Sequence, residues 1–337
     1  MNTNIFLQAL NPQHFKLIIM PTERCNFRCK YCYEDFAIGH MSNAICQGIK
    51  NLVKHRATNG MSHLSVEYFG GEPLLADKIV FDLADAFQKM STMYGFSYTS
   101  HITTNAYKLN FSTFNSLVNF GVTAYQITLD GPSEIHDQQR VLANGRGTFK
   151  TIWNNLLAIR DSNLDAKIML RVHCMPTTIE PTQELLQTIG HEFGDDHRFA
   201  VHLHEVSRLG GENDKNIPLF TAEKWQQTLN QLLKTLPVGI HERSDDREQL
   251  ENYICYASKA NSLIIRADGR IAKCTVALND ERNHIGDLKP DGSLDVDQSK
   301  FRSWLVGIAE NRPEVMACPL PFLGKTKSKE PDHLRVH

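Results

Sequence analysis

The sequence predicts an α/β fold: a partial (β/α)6 TIM-like barrel, followed by a small cysteine-containing β-hairpin/helix auxiliary unit. Three observations carry this reading. Six short β-prone segments recur at intervals of roughly 25 to 45 residues with helical periodicity between them, the pattern of parallel βα units. Polar or glycine-rich motifs fall at or just after the C-terminal ends of those segments, where such barrels keep their chemistry. Three cysteines lie together at 25–32, and three more are spread over 255–318.

Taken in order, residues 1–14 are a short polar extension. Phe15–Met20 is the first strand, and the loop Arg24–Tyr33 follows its end. Ser42 is a good N-cap for a helix over 43–58, where Ile45, Ile49, Leu52 and Val53 fall at helical spacing. Leu64–Phe69 is the second strand and runs into Gly70-Gly71-Glu72-Pro73-Leu74, with a helix over 76–94. Tyr98–Thr104 is the third, ending in Thr103-Thr104-Asn105-Ala106. Val122–Leu129 is the fourth, ending in Asp130-Gly131-Pro132, and Thr148 caps a helix over 149–161. Ile168–Met175 is the fifth; Arg171 lies inside it, where a charge is costly unless paired. A helix over 181–193 leads to the sixth strand, Arg198–Val206, whose His202 and His204 share one face and line the barrel mouth. The barrel thus covers 15–210. A linker with one helix near 222–236 occupies 211–250, the auxiliary unit 251–322 and a tail 323–337. Cys46 and Cys174 read as core residues.

Composition narrows the function. Of 337 residues, 41% are apolar and 22% charged, ordinary for a globular protein. A net charge of −2 and a pI near 6.7 announce no basic face for nucleic acid. No run of 18 apolar residues exists, so no membrane span is expected. Met1–Asn4 does not open a signal peptide. Eight cysteines in a chain this long are not disulfide-scaffold density, and the clustering of six of them in two groups points to metal in a reducing compartment, hence a cytoplasmic protein.

Cys25, Cys29 and Cys32 stand at C-x3-C-x2-C. Three thiolates on one short loop can hold three irons of a cubic iron–sulfur cluster and leave the fourth iron open. Zinc and plain reduced thiols are the alternatives. Structural zinc wants four ligands, and His40 completes no known zinc spacing. The loop resembles the signature of the radical S-adenosylmethionine (SAM) enzymes, C-x3-C-x-Φ-C, with Tyr31 at the aromatic position. The resemblance implies that Cys25, Cys29 and Cys32 bind a [4Fe–4S] cluster and that the open iron binds the amino and carboxylate groups of SAM. Gly70, Gly71 and Glu72 resemble the family's GGE motif, which meets the methionine ammonium. By the same resemblance Asn105 contacts the SAM ribose and Arg171 the carboxylate or ribose. The block Asp130-Gly131-Pro132 … His136-Asp137 … Arg140 … Asn144-Gly145-Arg146-Gly147-Thr148-Phe149 resembles the run found in the subfamily that modifies peptides and proteins. It makes Asp130 the candidate catalytic residue, with His136 and Arg140 behind it. Structural alternatives stand beside these: a turn at 130–132, a first-turn acid at Glu72, a helix cap at Asn105.

Cys255 and Cys274 form C-x13-G-x4-C around Gly269, and Cys318 follows. The segment 264–274 reads as a β-hairpin turning at Asp268-Gly269. This resembles the auxiliary-cluster domain of radical SAM maturases, called SPASM in full and Twitch when truncated. The later cysteines of the full form are missing, which leaves one auxiliary [4Fe–4S] cluster at Cys255, Cys274 and Cys318, a zinc site, or redox thiols. The leading reading is a maturase that takes hydrogen from a ribosomally made peptide and forms a side-chain crosslink or similar modification. The resemblance implies an electron donor such as flavodoxin or ferredoxin. Residues 1–14 have no room for a leader-binding domain, so a leader is expected to bind elsewhere or through a separate leader-binding protein. The alternatives are a sulfatase-type protein side-chain maturase, a small-molecule radical SAM oxidase or cyclase, and a non-catalytic iron–sulfur protein.

Overall fold

The computed structural model describes residues 3–237, 240 and 253–324. Its strands are β1 (His14–Ile19), β2 (Phe27–Cys29), β3 (His63–Tyr68), β4 (Ser97–Thr104), β5 (Ala124–Leu129), β6 (Arg140–Leu142), β7 (Lys167–Cys174), β8 (Phe199–Glu205), β9 (Ser262–Ile265), β10 (Arg270–Ala272), β11 (Gly286–Leu288) and β12 (Leu294–Val296). Ten of them form one sheet in the order β12-β11-β10-β9-β1-β3-β4-β5-β7-β8. The six strands expected from sequence are β1, β3, β4, β5, β7 and β8, and all pair in parallel. The fold is therefore a partial TIM-like α/β barrel.

The helices covering the outer face follow their sequence signals. In α2 (Asn43–Thr58) the Ser42 side chain accepts from the Ile45 amide, and Ile49, Leu52 and Val53 are buried. Helices α3 (Asp77–Tyr94), α4 (Phe111–Asn119), α5 (Ser133–Gln139), α6 (Phe149–Arg160) and α7 (Ile179–Phe193) complete the βα units. Their apolar stripes meet the alternate strand residues Leu17, Val66, Ile102, Ile127, Leu170 and Val201 in the main core. The other strand face is far more polar and carries Lys16, Glu67, Arg171, His173, His202 and His204.

Three local features differ from the sequence reading. Residues 1–14 contain a helix, α1 (Thr3–Leu10), whose Ala9 packs on Ile254, Ile308 and Met316; partners so distant in sequence leave no local signal. Thr148 does not cap α6. The Asp137 carboxylate takes that place, accepting from the amides of Thr148 at 2.7 Å and Phe149 at 2.9 Å, while the Thr148 hydroxyl turns inward to the Arg140 carbonyl. Finally, the C-terminal hairpin is not a separate sheet. β9 pairs in parallel with β1 and extends the barrel sheet on that edge. All four β9 residues are buried, so both faces need cover, as in any interior parallel strand.

A buried ion pair fastens this junction. Arg266, just after β9, grips Glu23 in bidentate fashion, at 3.0 Å from Nε to Oε1 and 2.5 Å from Nη2 to Oε2. Their side chains are 5% and 3% exposed. The remaining Arg266 donor Nη1 reaches the Leu278 carbonyl, and the Ala267 amide adds a long contact to Glu23. Removing one partner of such a pair leaves the other charge buried and costs about 3–5 kcal/mol. Arg266→Met is therefore expected to lower the unfolding free energy by about that amount in urea titration, and the double variant Glu23→Leu/Arg266→Met to recover part of it. Equal stability of wild type and Arg266→Met would contradict the assignment.

Candidate active site

The cysteine loop is irregular, and its neighbours fix it. β2, which ends at Cys29, pairs antiparallel with β6, so Cys29 stands opposite Arg140. Backbone bonds from Lys30 N to Gln139 O and from Ala143 N to Asn26 O continue that seam on both sides. From the other direction comes the Gly70-Gly71 turn. A Cβ on Gly70 would lie 2.3 Å from the Thr22 carbonyl oxygen, and one on Gly71 2.5 Å from that of Arg24. Gly70 also holds φ +111, which side chains disfavour. Both glycines thus let the start of the cysteine loop lie directly on this turn, and the Glu72 amide donates to the Arg24 carbonyl.

Glu72 is 1% exposed. Its Oε1 accepts from the Leu74 amide at 3.0 Å and the Thr104 hydroxyl at 2.7 Å, and its Oε2 from the Asn105 amide at 2.7 Å. The carboxylate ties the end of β3 to the end of β4. Burial raises its pKa against these three donors. Asn105, expected at a ribose, directs its side-chain amide at the cysteine loop: Nδ2 donates to Asn26 Oδ1 at 2.9 Å and lies 3.9 Å from Cys25 Sγ. Its Oδ1 accepts from the Tyr107 amide.

Tyr31 joins the loop to the end of β5. Its hydroxyl donates to Asp130 Oδ2 at 2.7 Å and accepts from Arg140 Nη1 at 2.7 Å. Asp130 is fully enclosed, and His173 Nδ1 lies 3.5 Å from its Oδ1. Burial alone would raise the Asp130 pKa, but the His173 contact and the Arg140 charge hold it at about 2. Arg171 donates from Nε to His173 Nε2 at 3.1 Å, completing a chain from Arg171 through His173 and Asp130 to Tyr31. His136 supports this chain from behind: Nδ1 accepts from the Asp130 amide and Nε2 meets the Thr148 hydroxyl. Burial pushes the His136 pKa down to about 4, so the ring is neutral in this role. Arg140, which stood behind Asp130 in the sequence motif, bonds Tyr31 and faces Cys29. Its signal was the H-D-x-x-R spacing, and its place opposite Cys29 depends on the β2–β6 pairing.

A family model described as the radical SAM superfamily matches residues 19–189. The chain belongs to the radical SAM superfamily. Among its relatives is a GTP 3′,8-cyclase of Campylobacter jejuni, 27% identical over 244 residues, 69% of this chain and 70% of that one. The fold resembles that of the sulfatase maturase anSMEcpe with bound AdoMet and Kp18Cys peptide (TM-score 0.67, 16% identity, 88% of this chain and 82% of that one). It also resembles Streptococcus suis SuiB bound to precursor peptide SuiA (TM-score 0.64, 13% identity, 90% of this chain and 69% of that one).

As a radical SAM enzyme the protein uses a [4Fe–4S] cluster and SAM. The loop residues suit the cluster. All three thiols are free, and burial, first among the causes, pushes their pKa values up, that of Cys32 to about 11. Thiols in such a place ionise when a metal binds them. The Phe27 amide donates to Cys25 Sγ at 3.3 Å, and the Arg140 charge favours thiolate at Cys29. Among the described residues no three His, Cys, Asp or Glu converge on one point as a single-ion site requires. A cubane asks for less, because each cysteine takes a different iron.

Cys255, Cys274 and Cys318 form a second group of free thiols. The Cys255 amide donates to the Met316 carbonyl, which draws the segment before Cys318 alongside it. Asn283 Oδ1 accepts from the amides of Lys273 and Cys274. Burial leads in raising all three thiols, and each senses another of the group. Burial, first among the causes, raises the Tyr33 pKa, and the charges of Cys274 and Cys32 add to it. Tyr256, next to Cys255, packs against the main core and also against Ile18, Met20, Ile264 and Ala272.

Gly71→Ala gives a direct check on the turn. The added methyl meets the carbonyl oxygens of Arg24 and Glu23 at 2.5 and 2.6 Å, so the cysteine loop must move. The expected result is loss of the cubane's visible absorbance after anaerobic reconstitution, with the far-UV circular dichroism of wild type retained. Normal cluster assembly in Gly71→Ala would show that the close approach does not matter.

Proposed function

We propose that this radical SAM enzyme modifies a ribosomally made peptide, and that it holds two clusters. Cys25, Cys29 and Cys32 bind the [4Fe–4S] cluster that meets SAM, and Cys255, Cys274 and Cys318 bind an auxiliary one. When bound, the first cluster and SAM supply a one-electron cleavage that ends in removal of a hydrogen atom from substrate.

The protein's part is to place and shield. Glu72 Oε2 carries one donor and keeps a lone pair for the amino group of SAM. Arg171 has no carboxylate at ion-pair distance among the described residues and offers its guanidinium to the carboxylate or ribose of SAM. Asp130 has no exposed surface, so it acts as a positioning residue that sets Tyr31 and His173. Asn105 supports Cys25 instead of the ribose.

The observation that carries the reading is the second cysteine group, Cys255, Cys274 and Cys318, each raised in part by the charge of another, beside a hairpin that extends the barrel sheet at β1. A cluster held by such a group suits an oxidation in which an electron must leave. The likeness to SuiB with its precursor peptide and to anSMEcpe with a peptide supports a peptide substrate. A second reading, a small-molecule cyclase, draws support from the C. jejuni relative.

The test incubates anaerobically reconstituted protein with SAM, dithionite and the precursor peptide encoded beside its gene, with GTP in a parallel reaction. The expected product is a peptide lighter by two hydrogens, together with 5′-deoxyadenosine, and Cys25→Ala abolishes both. An unchanged peptide alongside turnover of SAM with GTP would overturn the peptide reading.

A further inference from the structure

Among the described residues, Lys273 is the most deeply buried basic side chain that the site described above does not use. It is 1% exposed. Nζ donates to the carbonyls of Lys259 at 2.5 Å and Ser262 at 2.7 Å, and lies 5.2 Å from the ring centroid of Phe301. Among the described residues no carboxylate stands within ion-pair distance of it. A lysine is almost never fully buried unless it is paired, because desolvating its charge costs several kcal/mol. Two carbonyls give it hydrogen bonds but no counter-charge.

The place of Nζ indicates where that charge lies. The Lys259 carbonyl that it holds ends the short helix Tyr256–Ser258, and Cys255 is that helix's N-cap. Lys273 itself precedes Cys274, and Asn283 Oδ1 accepts from both of their amides. The ammonium therefore lies within the fold of chain that gathers Cys255 and Cys274. As thiols these cysteines are neutral, so the lysine is unmatched. As thiolate ligands they give the group a net negative charge.

We infer that Lys273 is the built-in counter-charge of an anionic, thiolate-ligated cluster at Cys255, Cys274 and Cys318, and that it sets that cluster's reduction potential. This rests on the auxiliary-cluster reading proposed above. A fixed positive charge favours the more negative, reduced form of a cluster, so it raises the potential; net charge is one of the main determinants of such potentials. The same lysine is a burden to the cluster-free fold, where replacing an unmatched buried charge by an apolar side chain is neutral or stabilising.

The experiment compares wild type, Lys273→Met and Lys273→Arg, each anaerobically reconstituted. It measures iron content, EPR-monitored potentiometric titration of both clusters, and urea unfolding of the iron-free proteins. Wild type should hold about eight irons, the content of two cubanes. In Lys273→Met the auxiliary midpoint should move negative while that of the first cluster stays, and Lys273→Arg should stay near wild type. Loss of only the auxiliary irons from Lys273→Met, with iron-free stability equal to or above wild type, would also support the assignment. About four irons in wild type would overturn the auxiliary-cluster reading and this inference with it. Eight irons with an unmoved auxiliary midpoint in Lys273→Met would overturn the inference alone. So would a marked fall in iron-free stability, which would make Lys273 a structural brace.

Discussion

The antiparallel pairing of Phe27–Cys29 with Arg140–Leu142 is the interaction on which the rest of the site depends. A loop carrying three cysteines has little regular structure of its own, and a cluster needs three sulfur atoms at set positions. Three residues of backbone pairing fix the middle of the loop. The pairing also decides which side chains reach it, by placing Arg140 opposite Cys29 and Tyr31 within reach of Asp130. The Gly70-Gly71 turn fixes the loop's beginning. Glu23, gripped by Arg266, ties that beginning to the C-terminal hairpin. Loop, turn and hairpin therefore form one mechanical unit, and movement of any one displaces the cysteines.

Electrostatics follow the same plan at both cysteine groups. Burial keeps these thiols protonated in the absence of metal, so they resist casual ionisation. Each group also has a buried basic side chain with no carboxylate in direct contact among the described residues: Arg140 bonded to the Tyr31 hydroxyl, and Lys273 on two carbonyls. The arginine is permanently charged, and its Nε has no partner among the described residues. Such an arrangement favours a set of ligands that becomes negative as metal binds.

Much of this was legible in the sequence where the controlling forces are local. Ser42 and the spacing of Ile45, Ile49, Leu52 and Val53 gave α2 its bounds because capping and periodicity act within a few residues. The strands were legible because alternate residues face opposite sides. What escaped depends on distant partners. α1 is held by Ile254, Ile308 and Met316. β9 joins β1, from the far end of the chain. The α6 cap comes from Asp137 rather than the adjacent Thr148. The glycines at 70 and 71 read as part of a motif that meets SAM, and their close approach to the chain's own cysteine loop came only with the fold. Asp130 read as a catalytic group, yet its enclosure and its bond to Tyr31 suit positioning. The site's family character was plain in Cys25–Tyr33, whereas Arg140 and Glu23 gained their roles only from pairing and packing.

The central claim is that the loop Cys25–Cys32 alone builds the cluster that meets SAM. Low-temperature EPR of the dithionite-reduced triple variant Cys255→Ala/Cys274→Ala/Cys318→Ala tests it most directly. The expected result is a reduced cubane signal in this variant whose g-values change when SAM is added. A variant with no cubane signal, or with one indifferent to SAM, would contradict it.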